Sequence, residues 1–151
     1  MFLLSLLSLC FANDYDYWGH WHEVPDIVVC QSSHVDIEDV HAAVDYWETK
    51  GYEFGNIYIW KVCDQSMLQD TIKISPPGKH INVDKHFGYT SVNTTGYNDD
   101  IINSSLIEMT VRGTHHKEVI IHEMGHALGI KHTPEKSDIM YHRHVFEHTN
   151  F

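Results

Sequence analysis

The chain has 151 residues, of which 21 are acidic and 10 are Lys or Arg, so its formal net charge is −11 with histidine neutral. This length suits one domain, and 42% hydrophobic with 12% aromatic residues excludes a disordered chain. The acidic balance argues against nucleic acid and anionic lipid as partners, because both are bound through Lys and Arg. Histidine is the unusual residue, with 14 copies spread from His20 to His148. Their spread excludes a single histidine tract.

The N-terminus predicts a signal peptide. Residues 1–12 form an uncharged apolar run that ends in a small-x-small cleavage site, Cys10 and Ala12, before Asn13. The run is too short for a transmembrane helix, which needs about 20 apolar residues. A buried N-terminal strand and a truncated gene start are the alternatives. We therefore expect a secreted, extracellular monomer without stable membrane insertion, in which residues 1–12 are removed, 13–25 form an extension and 26–151 form the domain.

The first elements of this domain are predicted to be strand, helix, strand. A β-branched run predicts a buried strand over residues 26–30, and alternating apolar residues predict a second over 54–63. Between them, a helix that extends to about Lys50 is capped by Ser33 or Asp36 and has apolar residues at helical spacing, namely Ile37, Val40, Val44 and Trp47. Such a crossover makes the two strands parallel.

Two cysteines remain after removal of the signal peptide. Cys30 and Cys63 both lie at the C-terminal ends of the predicted parallel strands, where neighbouring strands are about 5 Å apart. That spacing permits a disulfide, which a secreted domain favours. Two buried free thiols are the alternative.

Further strands are predicted over residues 71–75, 87–93 and 101–109.

A second helix carries the strongest signal. From about Lys117 it has apolar residues on most faces and contains the sequence HEMGHALGIKH. His122 and His126 lie one helical turn apart on one face, with Glu123 beside them, which is the ligand and base arrangement of zinc hydrolases. Gly129 can end the helix in a sharp turn that returns His132 to the same metal as a third ligand. The spacing therefore predicts a three-histidine zinc site.

These residues resemble the metzincin metallopeptidases, and among them the matrixins. The resemblance includes SDIMY, in which Met140 is the methionine of the family's Met-turn and Tyr141 follows it, and DVHAAVDYW, which is similar to the family's first helix with Trp47. It implies an α+β fold, with a twisted mixed sheet of about five strands, two long helices and a cleft under an edge strand. Where matrixins usually have proline after the Met-Tyr pair, this chain has His142.

The resemblance implies a zinc endopeptidase, with residues 26–151 as its catalytic domain. One Zn²⁺ held by His122, His126 and His132 would activate a bound water, and Glu123 would act as the general base on it. A protein or peptide substrate would lie extended against an edge strand near residues 89–92. A non-catalytic metal-binding protein and a zinc hydrolase of a non-peptide amide are the alternatives.

Several other histidines carry weaker hypotheses. His80, Asp84 and His86 lie where matrixins bind structural metals, although scattered surface histidines are the commoner case. His142, His144 and His148 follow the Met-turn, and we expect this cluster to border the cleft and lower activity in acid. The stretch DYDYWGHWH could either fold over the cleft or form a flexible tail.

Overall fold

The computed structural model describes residues 15–97 and 100–142. The predicted signal peptide, His144 and His148 lie outside these ranges. Within them, six strands and two α-helices form a mixed α/β fold. The strands are β1 (His20–Trp21), β2 (Asp26–Cys30), β3 (Ile57–Trp60), β4 (Thr71–Ser75), β5 (Gly88–Thr95) and β6 (Ile101–Met109), and the helices are α1 (Ile37–Glu48) and α2 (Lys117–Ala127).

The strands form one mixed sheet. Its main row has the order β1-β6-β4-β2-β3, and every neighbouring pair in that row is parallel. β5 lies antiparallel to β6, with a register irregularity between Asn93 and Thr94. Among the described residues β5 pairs with no other strand. Its outer backbone edge is therefore available to an added strand, as expected for an edge strand above a cleft.

The core lies between the two helices and one face of the sheet. Asp36, one of the two predicted caps, begins α1 by accepting a hydrogen bond from the Glu38 N–H at 3.0 Å. α2 is buried from Val119 to Ala127 and contacts α1, β5 and β6. Alternate strand residues point toward the helices, as the period of two requires; they include Ile27, Val29, Ile72, Ile74, Ile107 and Met109.

The second predicted strand is shorter than expected. The alternating pattern predicted residues 54–63, but β3 spans only Ile57–Trp60. Its partner β2 ends at Cys30, directly opposite Trp60, so β3 has no residue of β2 to pair with beyond Trp60. The other boundaries differ less: β5 extends from Gly88 to Thr95, and β6 has the predicted bounds.

Cys30 and Cys63 form the predicted disulfide. Their Cα atoms are 5.8 Å apart, and the bond closes a loop with a sequence separation of 33 residues. Cys63 lies three residues beyond β3, so the bond holds the chain that leaves β3 against the end of β2. The alternative of two free thiols is wrong.

A buried lysine lies on the sheet face away from the helices. Lys73 in β4 is 1% exposed, and its ammonium lies 3.2 Å from the Asp64 carboxylate. Hydrogen bonds from Ser66, together with the bond from Lys73, lower the pKa of Asp64 to about 2. The ion pair therefore fastens the loop after Cys63 to the middle of the sheet.

The described helices are short. α1 has 12 residues and α2 has 11, and neither they nor any other described helix has the length and apolar character needed to cross a membrane.

Candidate active site

α2 and the turn after it bring three histidines together. His122 and His126 lie on α2, and Gly129 then adopts a φ of +93°, which turns the chain back. The Nε2 atom of His132 consequently lies 3.2 Å from Nε2 of His122 and 3.1 Å from Nε2 of His126. Only glycine fits position 129, because a Cβ there would lie 2.2 Å from the Gly19 carbonyl oxygen.

The histidine rings have the orientation of metal ligands. Nδ1 of His122 lies 2.7 Å from the Ile139 carbonyl oxygen, and Nδ1 of His126 lies 2.8 Å from that of Ile130. A carbonyl oxygen only accepts, so both Nδ1 atoms donate, and each neutral ring presents its Nε2 lone pair as a possible metal ligand. Zinc–nitrogen bonds of about 2.0–2.1 Å in a tetrahedral site place ligand nitrogens about 3.3 Å apart. The three residues therefore fit a zinc ion.

The surroundings keep two of these rings neutral. Burial and the nearby His122 lower the pKa of His126 to about 3. Burial and the nearby His142 also lower the pKa of His132. Because only a neutral imidazole can ligate a metal, both shifts favour metal binding near neutral pH.

Glu123 projects from α2 beside the histidines. Its side chain is buried, and the Thr90 hydroxyl of β5 donates a hydrogen bond of 2.6 Å to its Oε2. Burial raises the pKa of Glu123 to about 7, although the bond from Thr90 acts in the opposite direction. A carboxyl group that titrates near neutrality can both accept and release a proton, as a general acid and base must.

Met140 packs against the helix that carries these residues. It is fully buried, and its backbone N–H donates to Asp138 Oδ1 at 2.7 Å. A Cβ at Gly125 would lie 2.3 Å from the Met140 sulfur and 2.5 Å from Cζ2 of Trp47. The glycine inside HEMGH therefore lets the turn methionine and the α1 tryptophan approach the helix closely.

The family model for matrixins matches residues 60–151, more than half of the chain. The chain belongs to the matrixin family. The matched segment contains β5, α2 and Met140, and it indicates a zinc-dependent metallopeptidase. The resemblance in the first helix lies outside it. No curated relative matches this matrixin.

A cleft of about 730 Å³ runs between β5 and α2 of this matrixin. The three histidines and Glu123 line it, together with residues 86–92 of the predicted edge-strand region. His142, which replaces the usual matrixin proline, also lines the cleft, and its ring centre lies 6.1 Å from that of His132. His142 is the one member of the predicted C-terminal cluster within the described residues.

The described structure does not bring His80, Asp84 and His86 together as ligands of a second metal. In the part of the chain that the structure describes, the triad is the one group of three or more His, Cys, Asp or Glu that could hold a metal. His80 instead pairs with the buried carboxylate of Glu108 at 2.9 Å, while Asp84 and His86 join no such group.

Two contacts in the cleft were not predicted from the sequence. Thr90 contacts Glu123, and the alternation of β5 could have placed its side chain toward α2. Trp18 packs on the ring of His126 with ring centres 5.1 Å apart. No local pattern in DYDYWGHWH predicts this contact, although folding over the cleft was one of the two alternatives for that stretch.

Proposed function

We propose that this matrixin is a secreted zinc-dependent endopeptidase, with His122, His126 and His132 as zinc ligands and Glu123 as the general base. The observation that carries the proposal is the convergence of three Nε2 atoms beside a buried carboxyl group, in a cleft bordered by β5, whose outer edge has no strand partner among the described residues. A purely structural metal site has no need of the carboxyl group.

A zinc ion bound there would lower the pKa of a coordinated water and polarise the substrate carbonyl. The chain's own contribution is the placement of proton acceptors and donors. The Thr90 hydroxyl holds Oε2 of Glu123 in a fixed position. From this position the carboxylate accepts a proton from the attacking water and delivers it to the leaving nitrogen.

β5 would bind the substrate main chain. Its outer edge has no strand partner among the described residues, so an extended peptide can add to it through backbone hydrogen bonds. Such bonds do not depend on side-chain identity, which suits an enzyme that cleaves within a chain. Residues 89–92 border both this edge and the candidate catalytic group.

The disulfide supports the proposal of secretion. Disulfides persist in oxidising compartments and are rare in the reducing cytosol. Removal of residues 1–12 is the matching prediction, and N-terminal sequencing of the exported protein tests it. A mature N-terminus at a residue other than Asn13 would contradict the cleavage site but not the activity.

The test of activity uses one substitution and its matched control. The zinc-loaded protein should cleave an unstructured protein such as casein, and a chelator should abolish cleavage. Glu123→Gln should lower kcat at least 100-fold and leave zinc stoichiometry unchanged. Glu118→Gln makes the same change at an exposed position of the same helix and should have no effect.

Three outcomes contradict parts of the proposal. If wild type and Glu123→Gln both bind one zinc and neither cleaves protein, the peptidase function is wrong. Hydrolysis of small amides without cleavage of peptides would favour the non-peptide alternative. If His132→Ala leaves zinc affinity equal to that of the exposed control His41→Ala, the three-histidine site is wrong.

A further inference from the structure

The segment before β2 is fastened to the metal-site turn. We name residues 15–21 the N-terminal strap. The Trp18 N–H donates to the Gly129 carbonyl, and the Lys131 N–H donates to the Asp16 carbonyl, each at 2.8 Å. Tyr17 bridges Ile130 in antiparallel fashion between them. The strap is therefore paired directly with the turn that joins His126 to His132.

Further contacts hold both ends of the strap. The Tyr15 hydroxyl donates to Asp138 Oδ2 at 2.6 Å, and its ring packs on Trp47. At the other end, the Trp21 indole N–H donates to the Ala127 carbonyl at 2.9 Å, and β1 pairs with β6. The backbone that carries Trp18 is thus fixed on both sides.

Trp18 faces the cleft from this fixed segment. Its indole is tilted 32° from the His126 ring, with ring centres 5.1 Å apart, and it lines the cleft. Nevertheless 46% of the residue is exposed. An indole that only supported His126 could be covered, whereas one that presents a free apolar surface beside the reacting centre suits contact with a ligand.

The β5 residues that line the cleft with Trp18 indicate what its indole surface can bind. Val92 and Thr94 of β5 line the same cleft, so an extended peptide on β5 would pass close to Trp18. Neither of these residues carries a charge, and an indole face favours aromatic and aliphatic groups. Trp18 lies against His126, one of the candidate zinc ligands, with ring centres 5.1 Å apart. Since a strand advances about 3.3 Å per residue, the substrate side chain that contacts Trp18 lies within about three residues of the scissile bond.

We propose that Trp18 forms an aromatic subsite and that this matrixin selects peptides with an aromatic or large aliphatic residue placed against it. The inference rests on the proposed peptidase function and adds the substrate class. It gives the N-terminal strap a role in specificity beyond fold stability.

The first test measures binding without cleavage. Zinc-loaded Glu123→Gln protein is titrated by fluorescence anisotropy with labelled nine-residue peptides that are identical except for Phe or Ala at one position. At one of the positions scanned, the Phe peptide should bind about tenfold more tightly. Adding Trp18→Ala should reduce that ratio below threefold, and Trp18→Phe should retain most of it. Trp60→Ala, which removes a similarly exposed tryptophan on β3 (41% exposed), should leave the ratio unchanged.

The second test measures selectivity in catalysis. With peptides built on a sequence that wild type cleaves, Trp18→Ala should raise KM for the Phe peptide about tenfold and change kcat much less. An undiminished Phe preference in Trp18→Ala would overturn the inference. So would an equal loss for Phe and Ala peptides, or weaker zinc binding than in Trp60→Ala, because either result indicates a merely structural role. If wild type cleaves nothing, the proposed function fails, and the binding ratios alone decide the role of Trp18.

Discussion

Glu123 should destabilise the metal-free protein, and replacing it should therefore increase stability. The carboxyl group is buried on α2, and the Thr90 hydroxyl donates a hydrogen bond to it. A Gln side chain has the same shape, can accept the same bond and never ionises. Glu123→Gln thus removes the cost of a buried negative charge and leaves the packing in place.

The magnitude follows from the change in pKa on folding. Burial raises the pKa of Glu123 from its ordinary value of 4.5 to about 7. The folded state then binds more protons than the unfolded state, so stability falls as the pH rises from about 4.5 through 7. Because each tenfold change in proton affinity corresponds to about 1.36 kcal/mol, the full penalty is about 3 kcal/mol above pH 7. It is small at pH 5 and nearly complete at pH 8.

Urea unfolding of chelator-treated proteins at pH 5, 6.5 and 8 measures this penalty. Glu123→Gln should exceed wild type by about 3 kcal/mol at pH 8 and by less than about 1 kcal/mol at pH 5. His126, whose pKa falls from 6.5 to about 3 on folding, destabilises both proteins alike as the pH drops below about 6.5. The difference between the proteins therefore isolates Glu123.

Zinc supplies an internal control. A cation at the neighbouring histidines favours the carboxylate form, so the advantage of Glu123→Gln should shrink when zinc is added. Glu118→Gln, at an exposed position in the first turn of α2, should have the stability of wild type at every pH. A difference between Glu123→Gln and wild type that stays constant from pH 5 to 8 would refute the burial argument.

Three further variants test the scaffold. Replacing both Cys30 and Cys63 with Ser opens a loop with a separation of 33 residues, which should lower the free energy of unfolding by about 3–4 kcal/mol in urea titrations. Asp64→Asn should destabilise the protein at pH 7, because it leaves Lys73 without its ion-pair partner. The difference in the free energy of unfolding between the variant and wild type should disappear as the pH falls from about 4 toward 2, where Asp64 protonates in the folded state. Gly125→Ala should lower the free energy of unfolding by about 1–3 kcal/mol and also lower peptidase activity, because the added methyl group overlaps the Met140 side chain. An unchanged melting temperature would contradict that contact.

Local signals predicted the elements better than their arrangement. β2 and α1 were readable because β-branched runs and helical spacing of apolar residues are local properties. The position of β6 between β4 and β5 depends on contacts between distant segments, and no sequence period encodes it. The end of β3 was misplaced for the same reason, since it is set by the end of β2.

The candidate site also has features that local sequence predicts and features that depend on the tertiary fold. Helical geometry alone places His122 and His126 on one face, and a glycine turn accounts for the return of His132. The groups that orient them were not predictable, because the Ile139 and Ile130 carbonyls reach the rings only through the tertiary fold. Thr90 is a similar case, since its role depends on β5 crossing above α2.

Asp138 links the N-terminal strap, which is far from the site in sequence, to the metal-binding turn. One of its carboxylate oxygens accepts from the Tyr15 hydroxyl and the other from the Met140 N–H, at 2.6 and 2.7 Å. Burial and this carboxylate raise the pKa of Tyr15 above its ordinary range, so the phenol keeps the proton that it donates. The next residue, Ile139, offers its carbonyl to the His122 ring. The strap that presents Trp18 and the turn that orients a metal ligand are therefore joined through one side chain, so the proposed specificity surface and the proposed catalytic centre share a common support.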